Sequence, residues 1–147
     1  MIRRRSLLPA AVAAVLVLVG AGCADDAPEA DTPADPNAPA TTIDLPADRL
    51  VDETGKQRVE VSVVDNTFEP AYLVVSPGTE IIFTNDGRNQ HNVIPVEDGR
   101  FEEIPTADFG PGKVGSITVD GEGDIPYYCS IHGTKKLNGQ SGVIRIG

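Results

Sequence analysis

Thiolate and imidazole chemistry in this chain can draw on four residues: His91, His132, Cys23 and Cys129. Cys129 and His132 form a Cys-x-x-His pair, and His91 precedes the cysteine by 38 positions. Trp is absent and the only Met is Met1, so no thioether is available beyond the first residue. Taken singly, these are weak signals. A loop histidine is ordinarily a surface residue, and a lone cysteine at a strand end is ordinarily a small buried hydrophobe. Jointly they carry more weight. An unpaired thiol outside the cytoplasm is liable to oxidation or mispairing, and metal ligation is one way for it to persist. The same residues could in principle make a Cys–His nucleophile, but that use needs an orienting group and a cleft that a short β domain does not announce.

The elements that must position these residues are strands. Over 56–147 the pattern is β throughout, with Val59, Val61 and Val63 alternating within 58–65. Short β-branched or aromatic runs follow at 72–76, 80–85, 113–119, 127–129 and 142–146. A Ser-Pro-Gly-Thr turn signal (76–79) separates the second run from the third. No stretch keeps a helical period. The spacing predicts an all-β fold, a Greek-key β-sandwich of about seven to eight strands, in which His91, Cys129 and His132 can converge at one end.

The N-terminal part reads differently. Arg3, Arg4 and Arg5 precede an apolar run from Leu7 to Val19, then small residues lead to Cys23. A basic start, a short apolar segment and a small-residue cleavage site describe a secretory signal over 1–22, too short to span a bilayer comfortably. Ending at a cysteine, it resembles the lipobox of bacterial lipoproteins, with Gly20 where that family usually has Leu. The resemblance implies diacylation of Cys23, an anchor strong enough to hold the chain at a membrane. A simple secreted chain with a leftover Cys23 is the alternative. Residues 23–55 are rich in Ala, Pro and Asp and nearly devoid of large apolar side chains before Ile43 and Leu45. They are expected to form a disordered tether. Acids outnumber bases 22 to 12, for a net charge of −10, which argues against a nucleic-acid partner.

Four segments carry a resemblance across the whole β domain: Asp-Asn-Thr-Phe-Glu-Pro (65–70), Ser-Pro-Gly-Thr (76–79), Asn-Asp-Gly-x-x-x-His-Asn-Val (85–93) and Tyr-Tyr-Cys-Ser-Ile-His (127–132). The domain resembles the cupredoxins, small blue-copper proteins of the plastocyanin and pseudoazurin kind. The resemblance implies one copper ion, Cu(I) or Cu(II), with His91, Cys129 and His132 as ligands, since two imidazoles and one thiolate suit copper in both states. The family usually closes its ligand loop with Gly-Met-x-Gly. Here the matching run is Gly139-Gln140-Ser141-Gly142, so Gln140 becomes the expected axial ligand. Counting with the shorter plastocyanin spacing lands instead on Leu137, which cannot ligate. Asn92 and Ser130 are expected to tie the ligand loops together. Of Tyr127 and Tyr128, one is expected in the core and the other near the surface. Ile131 and Gly133 flank His132, compatible with a small docking patch rimmed by Lys135 and Lys136.

These implications predict a monomeric, extracytoplasmic, membrane-tethered carrier of single electrons between redox protein partners, and not an enzyme. A copper-binding module for storage, sensing or delivery to an oxidase is the alternative. Zinc also accepts His and Cys ligands, but the divalent affinity order favours copper at a given site.

Overall fold

The computed structural model describes residues 42–147. The signal segment, Cys23 and most of the expected tether therefore lie outside the described residues. Nine strands follow one another: β1 (Leu50–Asp52), β2 (Arg58–Val64), β3 (Thr67–Glu69), β4 (Tyr72–Val75), β5 (Thr79–Asn85), β6 (Ile94–Pro95), β7 (Val114–Val119), β8 (Gly123–Gly133) and β9 (Gly139–Ile146). Two short 3₁₀ turns, Ala47–Arg49 and Thr106–Asp108, are the only helical turns among the described residues.

The strands make two mixed sheets, a five-stranded one ordered β1-β4-β9-β8-β6 and a four-stranded one ordered β3-β2-β5-β7. The fold is an all-β sandwich. Alternation decides which side chains go in, because successive residues of a strand point to opposite faces. Val59, Val61 and Val63 of β2 turn inward with Ile81 and Phe83 of β5, Leu73 and Val75 of β4, and Ile144 and Ile146 of β9. The chain changes sheets between β4 and β5 through Ser76-Pro77-Gly78-Thr79. There Thr79 N–H closes the turn on Ser76 O at 3.2 Å, and Gly78 takes φ 81°, the left-handed value that a type II turn needs at its third residue. Phe68, Phe83 and Tyr127 pack as three tilted or edge-on rings, with centroids 4.9 to 6.0 Å apart, an arrangement that rings favour over face-to-face stacking.

Two expectations change. The ordered fold begins well before residue 56, because Leu50–Asp52 lies parallel to β4 as an edge strand. Its three residues show only one half-buried side chain, Leu50, too short a pattern to read, and its order comes from backbone pairing. Tyr128 is also not a surface residue. It is 8 % exposed, beside Tyr127 at 0 %, because β6 closes the sheet edge with Ile94 opposite Tyr128.

Candidate metal centre

Cys129 owes its position to strand parity. Ile125, Tyr127 and Cys129 are alternate residues of β8, all fully buried, so the thiol continues the inward face of an otherwise apolar row. Gln140 shares the inward parity of β9 with Ile144 and Ile146 and is 1 % exposed. His132 follows three residues after the cysteine, where β8 leaves the core, and is half-buried.

His91 comes from the irregular segment after β5 and is fully buried. Its backbone N–H donates to Phe109 O at 3.2 Å. Asn85 organises the same segment from below. Its Nδ2 donates to Asn89 O at 2.9 Å and to Phe109 O at 3.0 Å, and its Oδ1 accepts from Gly87 N–H at 3.1 Å. Sequence reasoning passed over Asn85 as a positioning residue. A signal existed, since it ends the inward row Thr79, Ile81, Phe83, Asn85 of β5, and a polar group on an apolar face needs partners.

The structure brings His91, Cys129 and His132 together, with their ligand atoms all within 4.8 Å of one another. Cys129 Sγ lies 3.8 Å from His91 Nδ1 and 3.6 Å from His132 Nδ1. With metal–sulfur near ~2.3 Å and metal–nitrogen near ~2.0 Å, a trigonal angle of about 120° separates S from N by about 3.7 Å. Both sulfur–nitrogen separations therefore match a trigonal site, and the two imidazoles have only to close toward each other, from a donor spread of 4.8 Å, for one small ion to take all three. The fourth group present is Gln140, not Leu137. Gln140 Oε1 is 2.9 Å from His91 Nδ1, while its Nε2 donates to Thr67 O at 3.2 Å. Leu137 sits half-buried in the loop turn with φ 59°. Thr67 was likewise not singled out from sequence, because its contribution is a backbone carbonyl.

Asn92 and Ser130 exchange two bonds, Asn92 Nδ2 to Ser130 Oγ and Ser130 N–H to Asn92 Oδ1, both 2.8 Å. These stitch the residue after His91 to the residue after Cys129. Burial holds the His91 imidazole below its usual pKa, partly countered by the Gln140 contact and reinforced by His132 nearby. The ring is thereby kept neutral, the form in which a histidine ligates. His91 Nε2 has no hydrogen-bond partner among the described residues. The ring is instead fixed by Gln140 and by packing on the His132 ring, centroids 4.8 Å apart.

The neck of the ligand loop is made of two facing glycines, Gly133 and Gly139. A Cβ on Gly133 would meet Gln140 O, and one on Gly139 would meet His132 O, with Gly139 also at φ 77°. Only glycine lets the two strands close this tightly above the site.

A β-sandwich that gathers two imidazoles, a thiolate and an amide oxygen at one pole has the make-up of a cupredoxin. Residues 56–143 match the profile of the copper binding proteins, plastocyanin/azurin family, and the chain belongs to that family. It is 33 % identical over 82 residues to chloroplastic plastocyanin of Pisum sativum, a match that takes in 50 % of this chain and 49 % of that one. The chain thus spans about half the length of this curated relative. Its fold is similar to that of a copper-containing nitrite reductase from Thermus scotoductus SA-01 (TM-score 0.53, 22 % identity, 68 % of this chain and 28 % of that one). It is also similar to the purple cupredoxin of Nitrosopumilus maritimus (TM-score 0.50, 19 % identity, 60 % and 99 %). One copper ion is the cofactor, and the residues present fit it in kind: a soft sulfur and two borderline nitrogens, with sulfur–nitrogen separations that suit copper.

Proposed function

We propose that this chain is a single-electron carrier, anchored through Cys23 on the extracytoplasmic side of a membrane, with copper held by His91, Cys129 and His132 and with Gln140 as axial ligand. Copper bound there supplies one-electron chemistry by alternating between Cu(I) and Cu(II). The chain's part is to keep the donors still. His91 is fixed through Phe109 and Asn85, Cys129 through β8, and both through the Asn92–Ser130 exchange. Donors that do not move between oxidation states leave little reorganisation to slow the transfer. His91, Cys129 and Gln140 are buried, so the half-buried His132 edge is the shortest way out.

The observation that carries this reading is the convergence of three ligand atoms within 4.8 Å, with His91 and Cys129 sealed from solvent. The anchoring part rests on the basic start, apolar run and Cys23. The test is copper titration with visible absorption and paramagnetic resonance. An intense thiolate-to-copper band should appear with one equivalent and be absent in Cys129→Ser. Weak colour with easily lost metal would favour a delivery module.

A further inference from the structure

The basic residues of this acidic chain are not evenly engaged. Lys56, Arg58, Arg88, Arg100 and Arg145 each lie within ion-pair distance of a carboxylate, and Arg49 covers the Tyr72 ring at 4.9 Å. Lys113, Lys135 and Lys136 are exposed and have no carboxylate within 4.0 Å among the described residues, and of these Lys135 and Lys136 stand together at the tip of the ligand loop. Residues 125–147 contain neither Asp nor Glu, in a chain that has 22 acids. In the same loop Ile131, an exposed large apolar side chain at 49 %, directly precedes the half-buried His132, and the two lysines follow three and four residues after the histidine.

We propose that Ile131, Lys135, Lys136 and Leu137, grouped around His132, form the docking face for a redox protein that presents carboxylates around its own redox centre. This rests on the electron-carrier reading and names the kind of partner that reading requires. The loop is held in one shape. Thr134 N–H donates to Asn138 O at 3.0 Å, Leu137 N–H to Thr134 O at 2.9 Å, and Ser141 Oγ to Leu137 O at 3.0 Å. A preordered tip loses little freedom on docking. Ile131 supplies an apolar centre and the lysines a charged rim, the division that protein interfaces use. At moderate salt the net charge of −10 is screened beyond about 10 Å. The local sign at the tip then decides which surface can approach His132 and in which orientation.

The test uses the full-length, copper-loaded protein with two small oxidants: anionic hexacyanoferrate(III) and cationic tris(phenanthroline)cobalt(III). With the anion, the stopped-flow rate should fall as ionic strength rises, despite the net negative charge of the protein. The Lys135→Glu/Lys136→Glu double variant should reverse that slope and slow the anionic reaction by about tenfold, with its visible band unchanged. A wild-type rate that rises with salt, or a slope the double variant leaves alone, would overturn the docking face while leaving the carrier reading intact. Absence of the band in the wild type would overturn both. Phosphatidylserine vesicles provide the remaining arm. Cosedimentation lost in the double variant, with anionic exchange unaltered, would assign the patch to a lipid surface and also overturn the proposal.

Discussion

The amide of Gln140 has its two ends committed to different partners. Its Nε2 donates to Thr67 O, so its Oε1 is the end that faces the donor set, 2.9 Å from His91 Nδ1. An amide oxygen is a harder donor than a thioether and favours the more highly charged metal state. Gln140→Met removes both the hard oxygen and the Thr67 bond. The reduction potential of the variant should therefore rise. Each tenfold change in the preference between oxidation states is worth about 59 mV for one electron, and a rise on that order or more is expected by voltammetry. A lower or unchanged potential in the variant would remove Gln140 from the axial role. The visible band should persist, since His91, Cys129 and His132 are untouched by the change.

Between the residue and the molecule stands the ligand loop, whose two glycines let β8 and β9 approach above the site. Gly139→Ala places a Cβ against His132 O and strains a backbone at φ 77°. Overpacking of this kind costs about 1–3 kcal/mol, and here the shift has to be taken up by His132 itself. Chemical denaturation should show that loss together with a displaced thiolate-to-copper band. Loss of stability with an unmoved band would mean that the strain is absorbed in the loop tip instead. The same loop shows what the sequence discloses and what it withholds. Period-two alternation makes β2 legible and a β-branched run makes β5 legible, while the Cys-x-x-His pair with a preceding His91 marks candidate ligands that only the family resemblance turns into a ligand set. Gly139-Gln140-Ser141-Gly142 is informative only through a family pattern, because nothing local distinguishes a buried Gln140 from a solvated one. Asn85 and Thr67 act through bonds to backbone groups distant in sequence, and no motif records those. β1 and β6 are short edge strands, ordered by pairing with β4 and β8 rather than by an apolar pattern of their own.

On the scale of the whole molecule, β8 and β9 join the metal pole to a polar clamp at their far ends. Asp124 and Arg145, in register across the two strands, form a paired contact with Arg145 Nε to Asp124 Oδ1 at 2.7 Å and Nη2 to Oδ2 at 2.9 Å. The backbone of Ile43 closes both ends of that pair. Its N–H donates to Asp124 Oδ2, and its carbonyl accepts from Arg145 Nη2 at 2.6 Å. Ile43, within the segment read as tether, is thereby tied to the domain. Burial alone would raise the Asp124 carboxyl, but the Arg145 and Ile43 hydrogen bonds and the Arg145 charge outweigh it and hold the group below the usual 3.8. A carboxylate depressed in the folded state stabilises above its unfolded pKa, near ~3.9. That contribution is lost as pH falls through the lower folded value. Asp124→Asn breaks a pair whose acid is 3 % exposed, while its Arg145 side chain keeps 27 % access to water. The cost should thus fall near the lower end of the buried-pair range, about 2–3 kcal/mol at pH 6. Urea unfolding of the wild type and variant across pH should show that gap narrowing as pH falls below the ordinary carboxylate range and the wild-type carboxyl takes up its proton. A gap constant with pH would mean that packing, not the charge, holds the strap. Five steps of extended strand, about 17 Å, separate Asp124 from Cys129, so the variant should keep its visible band while losing stability.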